Sequence, residues 1–337
     1  MVRVEKVHKS YSSVQAVADL SFQAKPGEIF GLIGPCIGNA LIGPNGAGKS
    51  TTIRMIMNII APDSGRILFD GKPLTEADKS RIGYLPEERG LYKKAKLGEV
   101  LEYLAVIKGA AKPDARASID AWLARFDLLE WKNRKVSELS KGMAQKAQFV
   151  GAIAHNPSVV FFDEPFSGLD PLAQDQLLKV MTELKGKGAT ILFSTHIMEH
   201  AEKICERILL MHKGREVLSG TMAEIKTRYG RNAVQLEFDG DAGFIKHLDF
   251  VASVSEYPRW VEVELKDGVD SDLLYAALAG CLSIRRFETV APSLHKIFIT
   301  QIGGFAAGSG DGDVGGIPPA GDVSINSPTV EANNDQA

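Results

Sequence analysis

The sequence predicts an α/β fold with a mainly parallel sheet, followed by a small α+β domain. Up to about residue 228, apolar runs typical of strands alternate with segments whose apolar residues recur every three or four positions, as in helices. This alternation favours a parallel sheet with helices on both faces. From residue 229 to 302 the predicted order becomes strand, helix, two strands, helix and strand, which indicates a ferredoxin-like sandwich.

The first elements can be placed from local patterns. Residues 1–35 alternate apolar and polar side chains and predict strands joined by turns at Ser12-Ser13 and Pro26-Gly27. Helical spacing begins after Lys49 and recurs at about 97–127. Strands and helices therefore begin to alternate only after the first 35 residues.

Later segments complete the division of the chain into 1–228, 229–302 and 303–337. Strands are predicted at Val159–Phe162 and Thr190–Ser194. The last segment is rich in Gly, Ser, Pro, Asn and Asp, and it holds five acidic residues and no Lys or Arg. Because such a composition cannot bury enough apolar surface to order itself, we predict a disordered acidic tail.

Composition and charge limit the classes of function. The 337 residues include 39 basic and 42 acidic side chains, for a net charge of −3, which argues against a nucleic-acid-binding protein. The three cysteines have neither disulfide nor metal-site spacing, which fits a reduced cytosolic compartment. No apolar run reaches the roughly 18 residues that a membrane span needs, so we expect any membrane role to require a partner.

A glycine-rich segment, "GPNGAGKST", matches the pattern of a phosphate-binding loop. Glycines let successive backbone N–H groups surround an anion, and the helix that follows adds the positive end of its dipole. Lys49 would place its charge on the β and γ phosphates, and Ser50 would offer a hydroxyl to Mg²⁺. The alternative is an ordinary glycine-rich turn before a helix. The predicted nucleotide ligands here are Gly43, Pro44, Asn45, Gly46, Ala47, Gly48, Lys49, Ser50 and Thr51.

Two adjacent carboxylates end the apolar segment "SVVFFDEP". In phosphoryl-transfer sites, an Asp at a strand end holds Mg²⁺, which assigns that role to Asp163. Glu164 follows where a general base could take a proton from an attacking water. Alone, this pair would indicate only a solvated loop. With the phosphate loop it predicts an ATP-hydrolysing site of the P-loop NTPase class.

With further motifs, residues 2–225 resemble the ATP-binding subunits of ABC transporters. "LSKGMAQK" resembles the family's signature segment, "SGLDP" resembles its D-loop, and "FSTHIME" carries the switch histidine, His196. Tyr11 lies where the family stacks an aromatic ring on adenine. "RIGYLPEERGLY" and the C-terminal "APSLHKIFITQIG" resemble the sodium- and drug-export branch, in which a small domain follows the ATPase with its helical subdomain.

The resemblance implies roles for particular residues. Two ATPase domains would pair head to tail, each ATP touching the phosphate loop of one copy and Ser140 and Gly142 of the other. His196 would bond the γ-phosphate and orient Glu164 and water. Ser140 could instead be an ordinary helix N-cap, and Tyr11 a half-buried strand aromatic.

Two positions depart from the family pattern. Glu87 stands where the family usually has Gln, so we expect contact with Mg²⁺ to survive and the positioning of water to change. The predicted metal ligands are therefore Ser50, Glu87 and Asp163. Met143 replaces the Gln of the signature segment, which removes a polar group at the implied dimer seam.

The tetrapeptide LIGP occurs twice, at 32–35 and at 41–44. Removing residues 36–44 would leave the usual family sequence, so the chain carries a partial duplication. Either Leu41-Ile42 replaces Leu32-Ile33 as the end of the strand, or the first copy keeps the strand and the loop is displaced. We favour the first outcome because the repeat supplies matching side chains.

These observations predict the ATP- and Mg²⁺-binding subunit of an ABC exporter, bound at the inner face of the cell membrane through a separate permease. The surface between Glu87 and about Tyr103 would contact that permease. The alternatives are a soluble ABC ATPase acting on nucleic acid or the translation machinery, and a regulatory nucleotide-binding module that has lost turnover.

Overall fold

The computed structural model describes residues 1–34, 47–88, 90–229, 233–256, 260–266, 268–290, 293–299 and 301. The predicted disordered tail, 303–337, lies outside them. The described strands are β1 (Val2–Tyr11), β2 (Val14–Ala24), β3 (Ile29–Ile33), β4 (Ser64–Phe69), β5 (Ile82–Leu85), β6 (Val159–Asp163), β7 (Thr190–Thr195), β8 (Arg207–His212), β9 (Arg215–Thr221), β10 (Ala233–Asp239), β11 (Val251–Glu256), β12 (Val261–Leu265) and β13 (Ser283–Val290).

The α-helices in these ranges include α1 (Lys49–Ile56), α2 (Leu97–Ile107), α3 (Lys112–Arg125), α4 (Lys141–Ile153), α5 (Pro171–Gly186), α6 (Met198–Ile204), α7 (Met222–Tyr229) and α8 (Ser271–Leu278). Residues 294–299 are also helical. Among the described helices, none is long and apolar enough to cross a membrane.

A six-stranded sheet forms the centre of the first domain, in the order β5-β6-β7-β3-β8-β9. The first five strands in this order are parallel, and β9 closes one edge as the antiparallel half of a hairpin with β8. Strands β3 and β6 are buried along their whole length, which explains why both are continuous apolar runs. The prediction of a mainly parallel sheet is confirmed.

The first two strands belong to a separate sheet. β1 pairs with β2 and with β4, both antiparallel, in the order β2-β1-β4. The alternating pattern of residues 1–24 reflects this arrangement, because one face of an antiparallel sheet packs on the core and the other meets solvent. Phe22 of β2 stacks on Phe30 of β3 with ring centroids 5.0 Å apart, which joins the two sheets.

The predicted helical region at 97–127 consists of two helices, α2 and α3. Gly109 adopts φ +91° just after α2, and Pro113 lies in the first turn of α3. A glycine in the left-handed backbone conformation readily ends a helix, and a helix accepts proline only in its first turn. The chain therefore turns between Gly109 and Pro113.

Aromatic contacts join this helical subdomain to the strand of the central sheet that ends in the two carboxylates. Phe126, just after α3, packs edge-on against Phe149 of α4 at 5.8 Å. Phe149 in turn stacks on Phe162 of β6 at 4.6 Å. Since Phe162 immediately precedes Asp163, α4 is held directly against the strand that carries the two carboxylates.

The preferred outcome for the repeated LIGP is wrong. The first copy ends the strand: Leu32 and Ile33 are fully buried in β3 and pair with both β7 and β8. The second copy, at 41–44, lies outside the described residues. The physical reason is that Phe30 and Gly31 already pair with β7 and β8, so Leu32 and Ile33 continue the same register without a break.

Four antiparallel strands form the C-terminal sheet in the order β11-β12-β10-β13. Counted within this domain, the order is second, third, first and fourth, which is the arrangement of the predicted ferredoxin-like sandwich. The first predicted helix is only a 3₁₀ segment, Gly243–His247, and the second is α8.

The helical segment 294–299 contacts both domains. Leu294, Ile297 and Phe298 are buried in the same apolar cluster as residues of the six-stranded sheet. Lys296 instead pairs with Glu262 of β12, 2.5 Å away. One short helix therefore anchors the C-terminal sheet to the first domain.

Candidate functional site

Helix α1 begins at Lys49, so the last three residues of the predicted phosphate loop, Lys49 to Thr51, form its first turn. Gly48 adopts φ +90°, and a Cβ atom there would lie 2.4 Å from the carbonyl oxygen of Ala16. Only glycine therefore fits at the position that turns the chain into the helix. Ala47, Gly48, Lys49, Ser50 and Thr51 are described, whereas Gly43, Pro44, Asn45 and Gly46 lie outside the described residues.

The ammonium group of Lys49 is held between the ends of two strands. Its side chain is 3% exposed, donates a hydrogen bond to the carbonyl oxygen of Gly34 at 2.9 Å, and lies 3.4 Å from Oε1 of Glu164. A positive charge is thus fixed at the carboxyl ends of β3 and β6. The start of a helix adds a favourable potential for an anion at the same place.

The predicted metal ligands converge next to Lys49. Oγ of Ser50 lies 3.1 Å from Oδ1 of Asp163 and 3.4 Å from Oε2 of Glu87. Burial raises the pKa of the Asp163 carboxyl, while hydrogen bonds from Ser194 and Ser50 lower it. The structure therefore brings together all three side chains that the sequence assigned to the metal.

This set of oxygen atoms fits Mg²⁺. Oδ2 of Asp163 is buried without a hydrogen-bond partner, which leaves an acceptor open at the centre of the site. No three His, Cys, Asp or Glu side chains of the described ranges form a cage for a metal. Hydroxyl and carboxylate oxygens suit Mg²⁺ bound beside phosphates, because this ion prefers oxygen ligands and takes only a few of them from the protein.

Glu164 and His196 form a second pair at the same edge. Oε2 of Glu164 lies 2.9 Å from Nδ1 of His196, whose side chain is 43% exposed. Glu164 itself is buried and adopts φ +49°, a conformation that L-residues rarely occupy. A buried carboxylate between a lysine and an exposed imidazole can accept a proton from a water and be oriented by the ring.

Ser194 is a site residue that the sequence analysis missed. It lies on β7 directly opposite Asp163 and is fully buried. Its hydroxyl donates to Oδ1 of Asp163 at 2.5 Å and accepts the backbone N–H of Glu164 at 3.0 Å. The only local indication was that the apolar strand β7 ends in two hydroxyl residues, Ser194 and Thr195.

Ser140 and Gly142 lie at the start of α4. Ser140 caps the helix by accepting the N–H of Met143 at 3.2 Å, and its side chain is exposed. Gly142 lies near Gly168, whose carbonyl oxygen would be 3.6 Å from a Cβ added at Gly142. Within the described part of the chain, no hydrogen bond or ion pair links these two residues to Lys49, Ser50 or Glu164.

Two family models match the chain. The model described as ABC transporter matches residues 38–167, and the model described as ATP-binding protein DrrA1-3-like, C-terminal domain, matches residues 220–302. Among curated proteins, the uncharacterized ABC transporter ATP-binding protein YhaQ of Bacillus subtilis (strain 168) is 39% identical over 303 residues, which cover 90% of this chain and 99% of YhaQ. The chain belongs to the ABC transporter ATP-binding protein family.

Two other ABC proteins extend this comparison. The Nod factor export ATP-binding protein I of Paraburkholderia xenovorans (strain LB400) is 35% identical over 240 residues, covering 70% of this chain and 76% of that protein. A solved structure of the ATP-binding subunit of an ABC transporter superposes with a TM-score of 0.61 at 34% identity, covering 68% of this chain and 93% of that one. The fold is that of an ABC ATPase cassette.

Two glutamines that the sequence analysis did not identify connect the ABC signature helix to the catalytic edge. Gln145 donates to the carbonyl oxygen of Pro165 at 3.0 Å, just after the carboxylate pair. Gln148 donates to the carbonyl oxygens of Pro86 and Glu88, at 3.3 Å and 3.1 Å. The two bonds from Gln148 hold the backbone on both sides of Glu87, so α4 helps to position a predicted metal ligand.

Tyr11 lies at the end of β1, where it pairs with Val14 across the hairpin. Its ring is 46% exposed, with Nζ of Lys9 5.7 Å from the ring centroid. The same hairpin leads to Ala16, whose carbonyl oxygen approaches Gly48. This placement near the phosphate loop is compatible with the adenine-stacking role that the ABC family implies.

Proposed function

We propose that this protein is the ATP-hydrolysing subunit of an ABC exporter of the sodium- or drug-efflux type, driving transport through a separate membrane permease. The observation that carries the proposal is the meeting of Lys49, Ser50, Asp163, Glu164 and His196 at one edge of the central sheet. Members of the ABC ATPase family hydrolyse ATP, and these are the groups that phosphoryl transfer to water requires.

Each residue has a defined task in this proposal. Lys49 binds the β and γ phosphates with a charge that is already at the site, where it exchanges its contacts with the Gly34 carbonyl and Glu164 for phosphate oxygens. Glu164 accepts the proton of the attacking water, and His196 holds that carboxylate and contacts the γ-phosphate.

Ser50, Glu87 and Asp163 are the proposed Mg²⁺ ligands. Bound Mg²⁺ supplies charge neutralisation at the phosphates. The hydrogen bonds that hold these side chains in place determine where the ion binds. The loop residues Gly43–Thr51, apart from Pro44, supply backbone N–H groups, and Tyr11 supplies a ring for adenine.

The proposed active form is a head-to-tail homodimer with two nucleotides at the seam. Ser140 caps an exposed helix start, and its hydroxyl is free of any link to the site of its own chain within the described residues. An exposed helix N-terminus with a hydroxyl suits the γ-phosphate of a nucleotide held by another copy. Gly142 keeps that surface open, and Asp170 would help to shape the seam.

The proposed permease contact is the surface between Glu87 and Tyr103. Tyr92 and Tyr103 are 62% and 54% exposed there, and Ile107 follows at 56%. Exposed aromatic and apolar side chains of this size are typical of protein interfaces. The protein would then act at the inner face of the membrane through its partner, with no nucleic acid involved.

The export direction draws on the comparisons, whereas the domain division draws on the change of sequence pattern near residue 229. The name of the Nod factor protein states export. The DrrA1-3-like match over residues 220–302 supports a branch in which a small domain follows the ATPase, and the sodium- or drug-efflux type itself rests on the sequence resemblance. We propose residues 1–228 as the ATP-binding domain, 229–302 as an accessory domain and 303–337 as a tail.

Two measurements test the proposal. Tagged protein is recovered from solubilised membranes, and co-purification of a polytopic membrane protein is the expected result. Recovery of ribosomes or DNA instead would overturn the transport function and favour the nucleic-acid alternative. Steady-state ATPase activity with Mg²⁺ is measured in parallel, and nucleotide binding without turnover would favour a regulatory module.

A further inference from the structure

Ser194 occupies a position between the two carboxylates of the site. It lies on β7, which runs beside β6, and its backbone is in register with Asp163. The side chain is fully buried. A buried hydroxyl forms its hydrogen bonds with groups of the protein, so its bonding partners identify the groups that it positions.

The hydroxyl has one proton, and Asp163 receives it. The Oγ–Oδ1 distance of 2.5 Å indicates a strong bond to a carboxylate. Ser50 approaches the same oxygen at 3.1 Å. Two hydroxyls thus occupy Oδ1, whereas Oδ2 remains buried with no hydrogen-bond partner. The bond from Ser194 therefore selects which carboxylate oxygen stays available.

The same oxygen atom accepts the backbone N–H of Glu164 at 3.0 Å. The left-handed backbone of Glu164, φ +49°, is unfavourable for a residue with a side chain and persists only where its surroundings hold it. This backbone directs the Glu164 carboxylate to Lys49 on one side and to His196 on the other. Holding the N–H group therefore also holds the proposed base.

We propose that Ser194 is a positioning residue for ATP hydrolysis, fixing the metal-binding Asp163 and the base Glu164 with one hydroxyl group. The inference rests on the proposed function and names a further residue of the same site. Ser194 touches neither nucleotide nor water in this role. Its effect passes through the two carboxylates, so it should change the use of Mg²⁺ and the rate of the chemical step more than nucleotide affinity itself.

The test compares two substitutions that change volume in opposite directions. Ser194→Ala leaves a small void, and Ser194→Cys adds volume, but both lack a strong hydroxyl donor. The matched control is Thr190→Val on the same strand, because the Thr190 hydroxyl is also buried and accepts the N–H of Gly27 at 2.9 Å, at the opposite end of β7. Melting temperature, labelled-ATP affinity with EDTA and with Mg²⁺, and kcat are measured for all four proteins.

Both Ser194 variants are expected to need about tenfold more Mg²⁺ for half-maximal activity and to lose about ten- to a hundredfold in kcat. Their affinity for ATP in EDTA should stay within about twofold of the starting protein. Thr190→Val should change the melting temperature alone. Wild-type Mg²⁺ dependence and kcat in folded Ser194→Ala or Ser194→Cys protein would overturn the inference. Failure of the unmodified protein to bind or hydrolyse ATP would instead overturn the proposed function.

Discussion

The candidate nucleotide site and the core of the C-terminal sheet differ in what they bury. Lys49, Asp163 and Glu164 are all buried at the carboxyl ends of the central strands. In the described part of the C-terminal sheet, every member of the buried cluster is apolar: Val234, Leu236, Ile245, Val261, Val263, Leu265, Leu274 and Leu278. Burying charge costs free energy unless it is paired and hydrogen-bonded, so the two regions balance stability and chemistry differently.

Most ion pairs of the described C-terminal residues lie at the surface, the exception being the partly buried contacts of Lys296 with Glu262 and Glu264. Arg285 and Asp239 lie 2.7 Å apart, as do Lys246 and Glu256, and all four side chains are more than half exposed. Exposed pairs of this kind contribute little to stability. The C-terminal sheet is therefore stabilised by apolar packing. The nucleotide site instead retains buried charged groups that lower the free energy of unfolding but are needed for the reaction.

The largest effect is expected at the proposed base. Glu164→Gln keeps the shape of the side chain but removes its ability to accept a proton. The kcat for ATP hydrolysis should fall by about 10² to 10⁴-fold, since general-base catalysis contributes that much. Nucleotide affinity should persist because Lys49 remains. Single-turnover hydrolysis and labelled-ATP binding measure the two quantities.

The matched control for this substitution is Glu199→Gln, on an exposed position three residues after His196. It should leave kcat unchanged. If Glu164→Gln hydrolyses ATP at nearly the starting rate, Glu164 is not the general base. The burial of charged groups in the site, but not in the C-terminal core, would then need another explanation.

The second prediction concerns the apolar core. Leu274 of α8 is fully buried, whereas its neighbour Leu273 is 50% exposed. Leu274→Ala should cost about 2–5 kcal/mol in the free energy of unfolding of the C-terminal domain, and Leu273→Ala should cost far less. Denaturant unfolding measures both. Equal losses of unfolding free energy in Leu273→Ala and Leu274→Ala would contradict the role of Leu274 in the core. A loss of ATP affinity in Leu274→Ala as large as its loss of stability would show that this core does more than pack the domain.

The two regions also differ in how far the sequence predicts them. Lys49, Asp163 and Glu164 could be predicted because a glycine loop and a strand ending in two carboxylates are local patterns. The C-terminal strand order could be predicted because short connections limit the possible topologies. Both predictions required only neighbouring residues.

Residues whose importance depends on distant partners could not be predicted. Ser194 acts on Asp163, 31 positions earlier, and a serine at a strand end has no local pattern that reveals such a contact. The choice between the two LIGP copies was likewise decided by pairing with β7 and β8. The family model, by contrast, matches from residue 38 and so includes the second copy. The family match therefore includes the second LIGP copy, at 41–44, whereas strand pairing uses the first copy, at 32–35.

The third prediction tests this duplication. Gly34 closely approaches Ala47, because a Cβ added at Gly34 would lie 2.8 Å from the Cβ of Ala47. Twelve residues separate the two in sequence, and deletion of 36–44 would leave three. Since each doubling of loop length costs about 0.6 kcal/mol, the shorter protein should be more stable by about 1 kcal/mol and should bind ATP at least as tightly.

A second variant separates length from sequence in this experiment. Replacing residues 36–44 by nine Gly and Ser residues keeps the length and should leave the melting temperature near that of the starting chain. If the deletion and the starting protein have equal melting temperatures and equal ATP affinity, the duplicated segment costs the site nothing.

The smallest predicted effect concerns His155, an ionisable group at the amino end of β5, whereas the carboxylates lie at the carboxyl end of the neighbouring β6. Its Nε2 lies 3.2 Å from the carbonyl oxygen of Ile82, the first residue of β5. Burial, aided by the charge of Lys108, lowers the pKa of His155 from 6.5 to about 4. The unfolded chain therefore binds a proton that the folded one does not between about pH 4 and 6.5, so stability falls as the pH falls through this window.

Because the ring is only partly enclosed, the loss should be on the order of 1 kcal/mol. His155→Gln should flatten the decline of melting temperature between pH 6.5 and 4 without changing kcat at pH 7.5, whereas the exposed His295→Gln should retain the decline. The distinction matters for the comparison of the two regions, since His155 is enclosed and ionisable but far from the carboxylates. If the melting temperature of His155→Gln still falls as steeply between pH 6.5 and 4, the burial of His155 does not cause the decline. A fall in kcat would show that His155 also contributes to the reaction.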